Sequence, residues 1–256
     1  MFDLSRITLE TDIQHIEYHE TLESTNQLAA ELSDSLRSLS PALVLTARQT
    51  AGRGRGSNAW QATRGALTFS VVLDRADIRL PDARLPQVSL AAGLAVRNTI
   101  AEHVTGGCLV KWPNDVLLNE QKICGILTEQ HAVTDGRILV VGIGVNVNNS
   151  LAATAAEFRT AATSVFDATG QSTDLTAFLI VLLQQLTECL AGLCDRPREF
   201  FARLNRYSQL NGRHVEIDDG ARTLCGRCLG IDDDGRLLLE DNHTHHRVIA
   251  GTVVRW

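Results

Sequence analysis

Four short apolar segments between residues 109 and 146 constrain the fold of this chain more than any other feature. The segments are 109–112, 116–118, 122–128 and 138–146. Each suits a β-strand, and tight-turn sequences separate the first three. Pro113 restricts the backbone in the first turn, and Asn119 with Glu120 begins the second. The pattern predicts a strand that ends in a polar turn, followed by a β-hairpin.

The periodicity of apolar residues predicts further strands and helices on both sides of that region. Ser24 and Gln27 form a capping box, which marks the beginning of a helix. Thr68 and Ser70 alternate with apolar neighbours, as in a half-buried strand. The other predicted elements are strands at 16–19, 43–47 and 67–73 and helices at 87–103, 175–193 and 198–204.

The pattern changes near residue 210. Short strands follow, separated by turns at Asp219-Gly220 and Asp234-Gly235. We therefore predict two domains, a larger one over residues 1–210 and a small all-β module over residues 211–256.

Composition favours a soluble protein of the cytoplasm. The chain has 256 residues, of which 44% are hydrophobic and 21% charged, so it can bury a core. A net charge of −6 argues against a nucleic-acid partner. The first fourteen residues are too polar for a signal peptide, and 175–193 suits an amphipathic core helix better than a membrane span. Six scattered cysteines fit a reducing compartment.

A zinc site is the alternative for the cysteines near the end of the chain. Cys225 and Cys228 form a CxxC pair, and His243, His245 and His246 follow. The pair lies in a strand-like run, where residues three apart face opposite sides of a sheet. We therefore favour a structural role for both cysteines.

Lysine is rare in this sequence. Of 24 basic residues only Lys111 and Lys122 are lysine, and the others are arginine. Arginine cannot imitate the compact ammonium of lysine, whose pKa is easily tuned. Two lysines within twelve residues therefore indicate a functional site, although an arginine-rich composition with two chance lysines is the simpler alternative.

Two segments carry candidate binding groups. In residues 49–57 glycine alternates with Arg53 and Arg55, so the backbone can approach a ligand closely and the guanidinium groups can bind phosphate or carboxylate. A solvated basic loop is the alternative. Residues 111–115 place a cation, hydrogen-bonding groups and a carboxylate at one strand end, and Lys122 returns to that place across the hairpin. Gly142 and Gly144 are weaker evidence, because they also suit a bulge or a close backbone crossing.

Together and in order, these segments resemble the biotin–protein ligase family over residues 16–256. The matching pieces are Glu23-Ser24-Thr25-Asn26-Gln27, Gln49-Thr50-Ala51-Gly52-Arg53-Gly54-Arg55-Gly56, Lys111-Trp112-Pro113-Asn114-Asp115, Lys122-Ile123-Cys124-Gly125-Ile126-Leu127 and Gly142-Ile143-Gly144-Val145-Asn146-Val147-Asn148. The resemblance implies an α/β fold, in which a mixed-sheet catalytic domain of the class II synthetase type carries a small SH3-like β-barrel.

The resemblance also implies the reaction. Biotin and ATP would form biotinyl-5′-adenylate, and the acyl group would pass to a lysine of a biotin carboxyl carrier protein. Biotin contacts are implied for Ser24, Thr25, Asn26, Gln49, Gly52, Arg53, Gly54, Arg55 and Lys122. Adenylate contacts are implied for Arg53, Arg55, Trp60, Lys111, Asn114 and Asn146. The catalytic residues would be Lys122, Asp115, Arg55 and Lys111.

Several features stay open at this stage. Asp115 would either take the proton of the incoming lysine or bind Mg²⁺, and no tightly bound cofactor is expected. Gly56-Ser57-Asn58 stands where repressor-type relatives have another arginine and glycine, so we expect a ligase that is not a transcriptional regulator. The sequence does not decide whether the protein forms a homodimer. A lipoate–protein ligase and a non-catalytic sensor are the rival functions.

Overall fold

The computed structural model describes residues 2–151, 161–242 and 244–256. The helices are α1 (Leu4–Glu10), α2 (Thr25–Glu31), α3 (Ser33–Arg37), α4 (Val88–Ala101), α5 (Val165–Thr169), α6 (Leu175–Asp195) and α7 (Pro197–Arg206). The first nine strands are β1 (His15–Leu22), β2 (Ala42–Gln49), β3 (Gly52–Arg53), β4 (Ala59–Trp60), β5 (Leu67–Asp74), β6 (Cys108–Lys111), β7 (Asp115–Leu118), β8 (Gln121–Val133) and β9 (Gly136–Val145).

A seven-stranded mixed sheet forms the larger part of the molecule, with the strand order β1-β2-β5-β9-β8-β7-β6. Strands β1 and β2 are parallel, and every other neighbouring pair is antiparallel. The predicted hairpin is confirmed, since β7 and β8 are joined by Asn119 and Glu120 at φ angles of 49° and 66°. Two central residues with positive φ match the twist that joins antiparallel strands.

The two faces of this sheet are covered differently. One face packs against α4 and α6 in the main core. On the other face Val72 and Val140 lie beneath α2 and α3. Further along this second face the residues of β5 become Ser70 and Thr68, and those of β9 become Gly142 and Gly144. The second face thus changes from apolar near Val72 and Val140 to polar and open near Thr68 and Gly144.

Helix α2 begins as predicted, with the Ser24 hydroxyl accepting a hydrogen bond from the Gln27 amide. The Gln27 side chain bonds Glu31 instead of reaching back to Ser24, so half of the predicted capping box forms. The helix expected at 87–103 is confirmed as α4, which begins directly after a 3₁₀ turn over residues 82–87 that contains Pro86. Helices α1 and α5 are short and were not predicted.

The C-terminal module is a five-stranded antiparallel sheet. Its strands are β10 (His214–Asp218), β11 (Thr223–Ile231), β12 (Leu237–Asp241), β13 (Thr244–Val248) and β14 (Thr252–Arg255), in the order β13-β12-β11-β10-β14. The sequence predicted strands at 214–217, 222–229, 237–239 and 247–250, so it missed β14 and began β13 three residues too late. The strands all lie after residue 213, and on that ground we propose a domain boundary near residue 210.

Helix α6 is long and apolar enough to cross a membrane by length and composition. Its buried face packs against α4 in the main core, as the amphipathic prediction required.

The zinc alternative gains no support from the residues that the structure describes. Cys225 is exposed and Cys228 is buried, so the two thiols face opposite sides of β11 as predicted. His243 lies outside the described residues. Among the described residues, no group of three or more His, Cys, Asp or Glu side chains is placed to hold a metal ion.

Candidate active site

A cavity of about 430 Å³ lies where the polar part of the sheet meets the start of α2, the glycine–arginine segment and the C-terminal module. Its lining includes Ser24, Thr25, Asn26, Gln49, Arg53, Gly54, Arg55, Trp60, Thr68, Lys111, Asn114, Asp115, Lys122, Gly125, Gly142, Gly144, Thr252 and Val253. The structure therefore brings together nearly all of the residues that the sequence predicted for one site.

Two glycines make the floor of this cavity. The register of β5 with β9 is unbroken through Gly142 and Gly144, so neither glycine marks a bulge. The nearest neighbours of both glycines are side chains and not a crossing backbone. A Cβ at Gly142 would lie 1.9 Å from Oδ1 of Asn26, and one at Gly144 would lie 2.3 Å from Cε2 of Trp60. The missing side chains therefore let a polar group and an aromatic ring lie directly on the strand.

A hydrogen-bond network fixes the wall at the start of α2. Gln49 accepts through Oε1 from the amide of Thr25 at 2.9 Å. Ser70 Oγ lies 2.7 Å from both Thr25 Oγ1 and Asn26 Oδ1. Because the amide oxygen can only accept, Ser70 donates its hydroxyl proton to Asn26. The Thr25 hydroxyl lies within hydrogen-bond distance of both Ser70 Oγ and Gln49 Oε1. These buried polar groups are thus oriented before any ligand arrives.

The opposite wall contains both lysines of the chain. Nζ of Lys122 lies 2.6 Å from Oδ1 of Asp115, and both side chains are partly exposed to the cavity. The backbone of Lys122 is fixed by hydrogen bonds to residues 161 and 163. Lys111 pairs with Asp115 across the strands β6 and β7. Asp115 therefore forms an ion pair with Lys122, and its charge also acts on Lys111 opposite it.

Lys111 also contacts the C-terminal module, because its Nζ lies 4.9 Å from the ring centroid of Trp256. Burial lowers the pKa of Lys111; Asp115 opposes this shift and Lys122 adds to it. Asp115 and the face of the indole both favour the charged ammonium form against the cost of burial.

The glycine–arginine segment forms a small β-hairpin, which we call the flap (residues 52–60). Its strands β3 and β4 pair directly. Arg53 makes a bidentate ion pair with Glu129, with N–O distances of 2.7 and 3.3 Å. At the tip, Arg55 donates to the carbonyl oxygen of Gly251 in the C-terminal module at 2.7 Å. The flap thus lies over the cavity and touches both domains.

Two predicted residues do not line the cavity. The side chain of Asn146 is buried and donates to the carbonyl of Thr163. Gly52 begins the flap and lies against Gln49 and the backbone of Trp60. Asn114 lines the cavity, but its amide nitrogen donates to the carbonyl of Ile126.

The sequence also missed several residues of the site. Ser70 orients the wall at α2, Glu129 lies behind it, and Thr252 and Val253 bring the C-terminal module to the cavity. The sequence did carry a signal for Ser70, because this polar residue alternates with apolar residues in the predicted strand. The position of 252–253 depends on the packing of two domains, which no local pattern encodes.

The charge of the lining points to an anionic ligand. Among the described residues, Arg53, Arg55, Lys111 and Lys122 line the cavity with one carboxylate, Asp115. Glu129, behind the lining, pairs with Arg53, so the lining stays cationic although the whole chain carries a net charge of −6. Cations gathered in a partly enclosed site attract phosphate and carboxylate groups strongly.

Comparison with known proteins agrees with this site. Residues 18–148 match the model of the biotin/lipoate A/B protein ligase family, and residues 211–256 match the model of the biotin protein ligase C-terminal domain. The chain therefore belongs to the biotin/lipoate A/B protein ligase family.

Relatives and solved structures cover nearly the whole chain. The bifunctional ligase/repressor BirA of Bacillus subtilis is 34% identical over 97% of this chain and 77% of its own length. The biotin–[acetyl-CoA-carboxylase] ligase of Mycobacterium tuberculosis is 32% identical over 83% of this chain and 78% of its own length. The structure of the biotin protein ligase of Aquifex aeolicus, in complex with biotin and ATP, matches with a TM-score of 0.81 and 26% identity, over 95% of this chain and all of that one.

Proposed function

We infer that this protein is a biotin–protein ligase, which activates biotin with ATP and transfers it to a lysine of a biotin carboxyl carrier protein. The observation that carries this function is the cavity itself. A neutral, hydrogen-bonding end at Thr25, Asn26 and Gln49 faces a cationic end at Lys111 and Lys122. That arrangement fits a ligand with a polar head, an apolar middle and an anionic carboxylate.

In the first step an oxygen of the biotin carboxylate attacks the α-phosphorus of ATP, and pyrophosphate leaves. The biotin carboxylate and the α-phosphate are both anionic and repel each other. The activation barrier therefore depends on cations that are already in position in the site. We assign Lys122 to the carboxylate, because Asp115 and its fixed backbone hold its ammonium group in place. We assign Arg53, Arg55, Lys111 and Trp60 to the adenylate, on the flap and on the opposite wall of the cavity.

In the second step the amine of the acceptor lysine attacks the acyl carbon, an amide forms and AMP leaves. The attacking amine must lose a proton, and Asp115 is the carboxylate that lines the cavity. The flap keeps water from the adenylate until the acceptor arrives.

The donor set fits Mg²⁺ that enters with ATP. Mg²⁺ usually binds one or two carboxylates together with substrate phosphates, and Asp115 is a single carboxylate at the cationic end. When bound, the ion would neutralise charge on the phosphates.

Changing Asp115 to Asn should slow the overall reaction by more than tenfold, about 1.4 kcal/mol. The amide keeps the shape but cannot hold Lys122 by charge or accept a proton. Single-turnover assays of each step would locate the defect. Glu188→Gln, which alters an exposed ion pair with Arg203, is the control that should leave both steps unchanged. A wild-type rate for Asp115→Asn in both steps would remove Asp115 from the mechanism.

The choice between biotin and lipoate is tested by pyrophosphate release with each acid at equal concentrations, followed by labelling of a carrier domain. We expect turnover with biotin. Turnover with lipoate and not with biotin would refute the substrate, and binding of biotin without pyrophosphate release would indicate a sensor.

Three further proposals follow from the sequence. We propose that the protein works in the cytoplasm and does not regulate transcription. We also propose that two copies associate sheet to sheet, since β1 is an edge strand of the large sheet. Light scattering with and without biotin and ATP would measure the association.

A further inference from the structure

Glu129 lies behind the cavity and outside its lining, and it contacts two parts of the site at once. It is on β8, two residues after Leu127, and its side chain is 19% exposed. Its carboxylate accepts from Nδ2 of Asn26 at 2.8 Å and from both terminal nitrogens of Arg53. One carboxylate thus joins the fixed wall at α2 to the flap.

The flap has three attachments, and they differ in strength. The indole of Trp60 lies against Gly144, and Arg55 donates to one carbonyl oxygen of another domain. The Arg53–Glu129 contact joins two full charges in a bidentate geometry, which makes such hydrogen bonds roughly twice as strong as neutral ones. Arg53 lies in β3 at the base of the flap, so this contact ties the base of the flap to β8.

We propose that Glu129 is a positioning residue, which holds Arg53 and the flap over the cavity and so slows the escape of the adenylate. Asn26 gives this role a link to the ligand. Asn26 lines the cavity, and the carboxylate that accepts from its amide is the same one that anchors Arg53. The inference depends on the proposed function, because it concerns the lifetime of the adenylate.

The Arg53–Glu129 ion pair should contribute little to the free energy of folding. The Arg53 side chain is 47% exposed, and exposed ion pairs stabilise proteins little because water screens them. Glu129→Gln should therefore fold normally, keep a contact with Asn26 through its amide oxygen, and lose the charged anchor for Arg53.

The experiment measures how fast preformed, labelled biotinyl-adenylate leaves the enzyme when unlabelled biotin and ATP are added. We expect Glu129→Gln to raise the escape rate about fivefold, the upper end of what a partly exposed ion pair contributes. The rate of adenylate formation at saturating substrates should change less than about twofold, since Glu129 does not reach the reacting atoms. Glu188→Gln is the matched control and should leave both rates unchanged.

A double-mutant cycle tests whether Glu129 acts through Arg53. Arg53→Gln alone should also raise the escape rate, and adding Glu129→Gln to it should have no further effect. Full additivity, or an escape rate for Glu129→Gln within about twofold of the wild type, would overturn the proposal. If the wild-type protein forms no adenylate from biotin and ATP, the proposed function fails instead, so the two failures are distinct.

Discussion

Replacing Lys122 by alanine should reduce adenylate formation by about 10² to 10³-fold, the cost of removing one preorganised charged donor from an enzyme site. Lys122 is placed to neutralise the biotin carboxylate as it approaches the α-phosphate. Its ammonium group is held 2.6 Å from Asp115, and its backbone is fixed on both sides, so the charge is in position before the substrates meet.

The fold should survive this change. The backbone hydrogen bonds of Lys122 do not involve its side chain, and Asp115 keeps Lys111 opposite it across the strands. Circular dichroism and thermal unfolding would confirm that the variant is folded, and single-turnover formation of adenylate would give the rate. Lys122→Arg separates charge from shape, and we expect it to recover part of the rate. A wild-type rate for Lys122→Ala would show that another cation performs this role.

Replacing Gly142 by alanine should reduce kcat/KM for biotin by about 10²-fold, the loss expected when a site is displaced by roughly one ångström. The new Cβ would lie 1.9 Å from Oδ1 of Asn26. Asn26 cannot move freely, because Ser70 and Glu129 both hold its amide. The clash must therefore displace the wall at α2 or the strand itself.

Two further variants make this test specific. Gly192→Ala in α6 meets nothing within 4 Å, so it should leave activity unchanged and stabilise the helix by about 1 kcal/mol. In Asn26→Ala the clashing oxygen is absent, so adding Gly142→Ala to it should cause little further loss. Initial rates of pyrophosphate release at varied biotin concentrations would give kcat/KM for each variant. A wild-type kcat/KM for Gly142→Ala alone would show that the wall yields without cost.

Much of the site could be predicted because its residues lie at strand ends and turns, where local sequence carries strong signals. Pro113 and the Asn119-Glu120 turn predicted the strand and hairpin that bring Lys111, Asp115 and Lys122 together. Ser24 predicted the start of α2, which carries Thr25 and Asn26. These features depend on a few neighbouring residues, so their geometry follows from the chain itself.

Other features could not be predicted because they depend on packing between distant segments. The role of Gly142 was undecided in the sequence, since a bulge and a close contact need the same residue type. It was decided by Asn26, more than one hundred residues away. Likewise Asn146 lies among apolar residues in the sequence and was expected at the ligand, but its amide is used by Thr163 and Asn149 inside the fold.

The most direct test of the account is a single-turnover experiment with the purified protein, biotin and ATP, in which the bound species is identified by mass spectrometry before and after a carrier domain is added. The account predicts biotinyl-5′-adenylate on the enzyme, with pyrophosphate in solution, and its conversion to AMP and biotinylated carrier. Biotin that remains unchanged on a folded protein, with no pyrophosphate released, would contradict it.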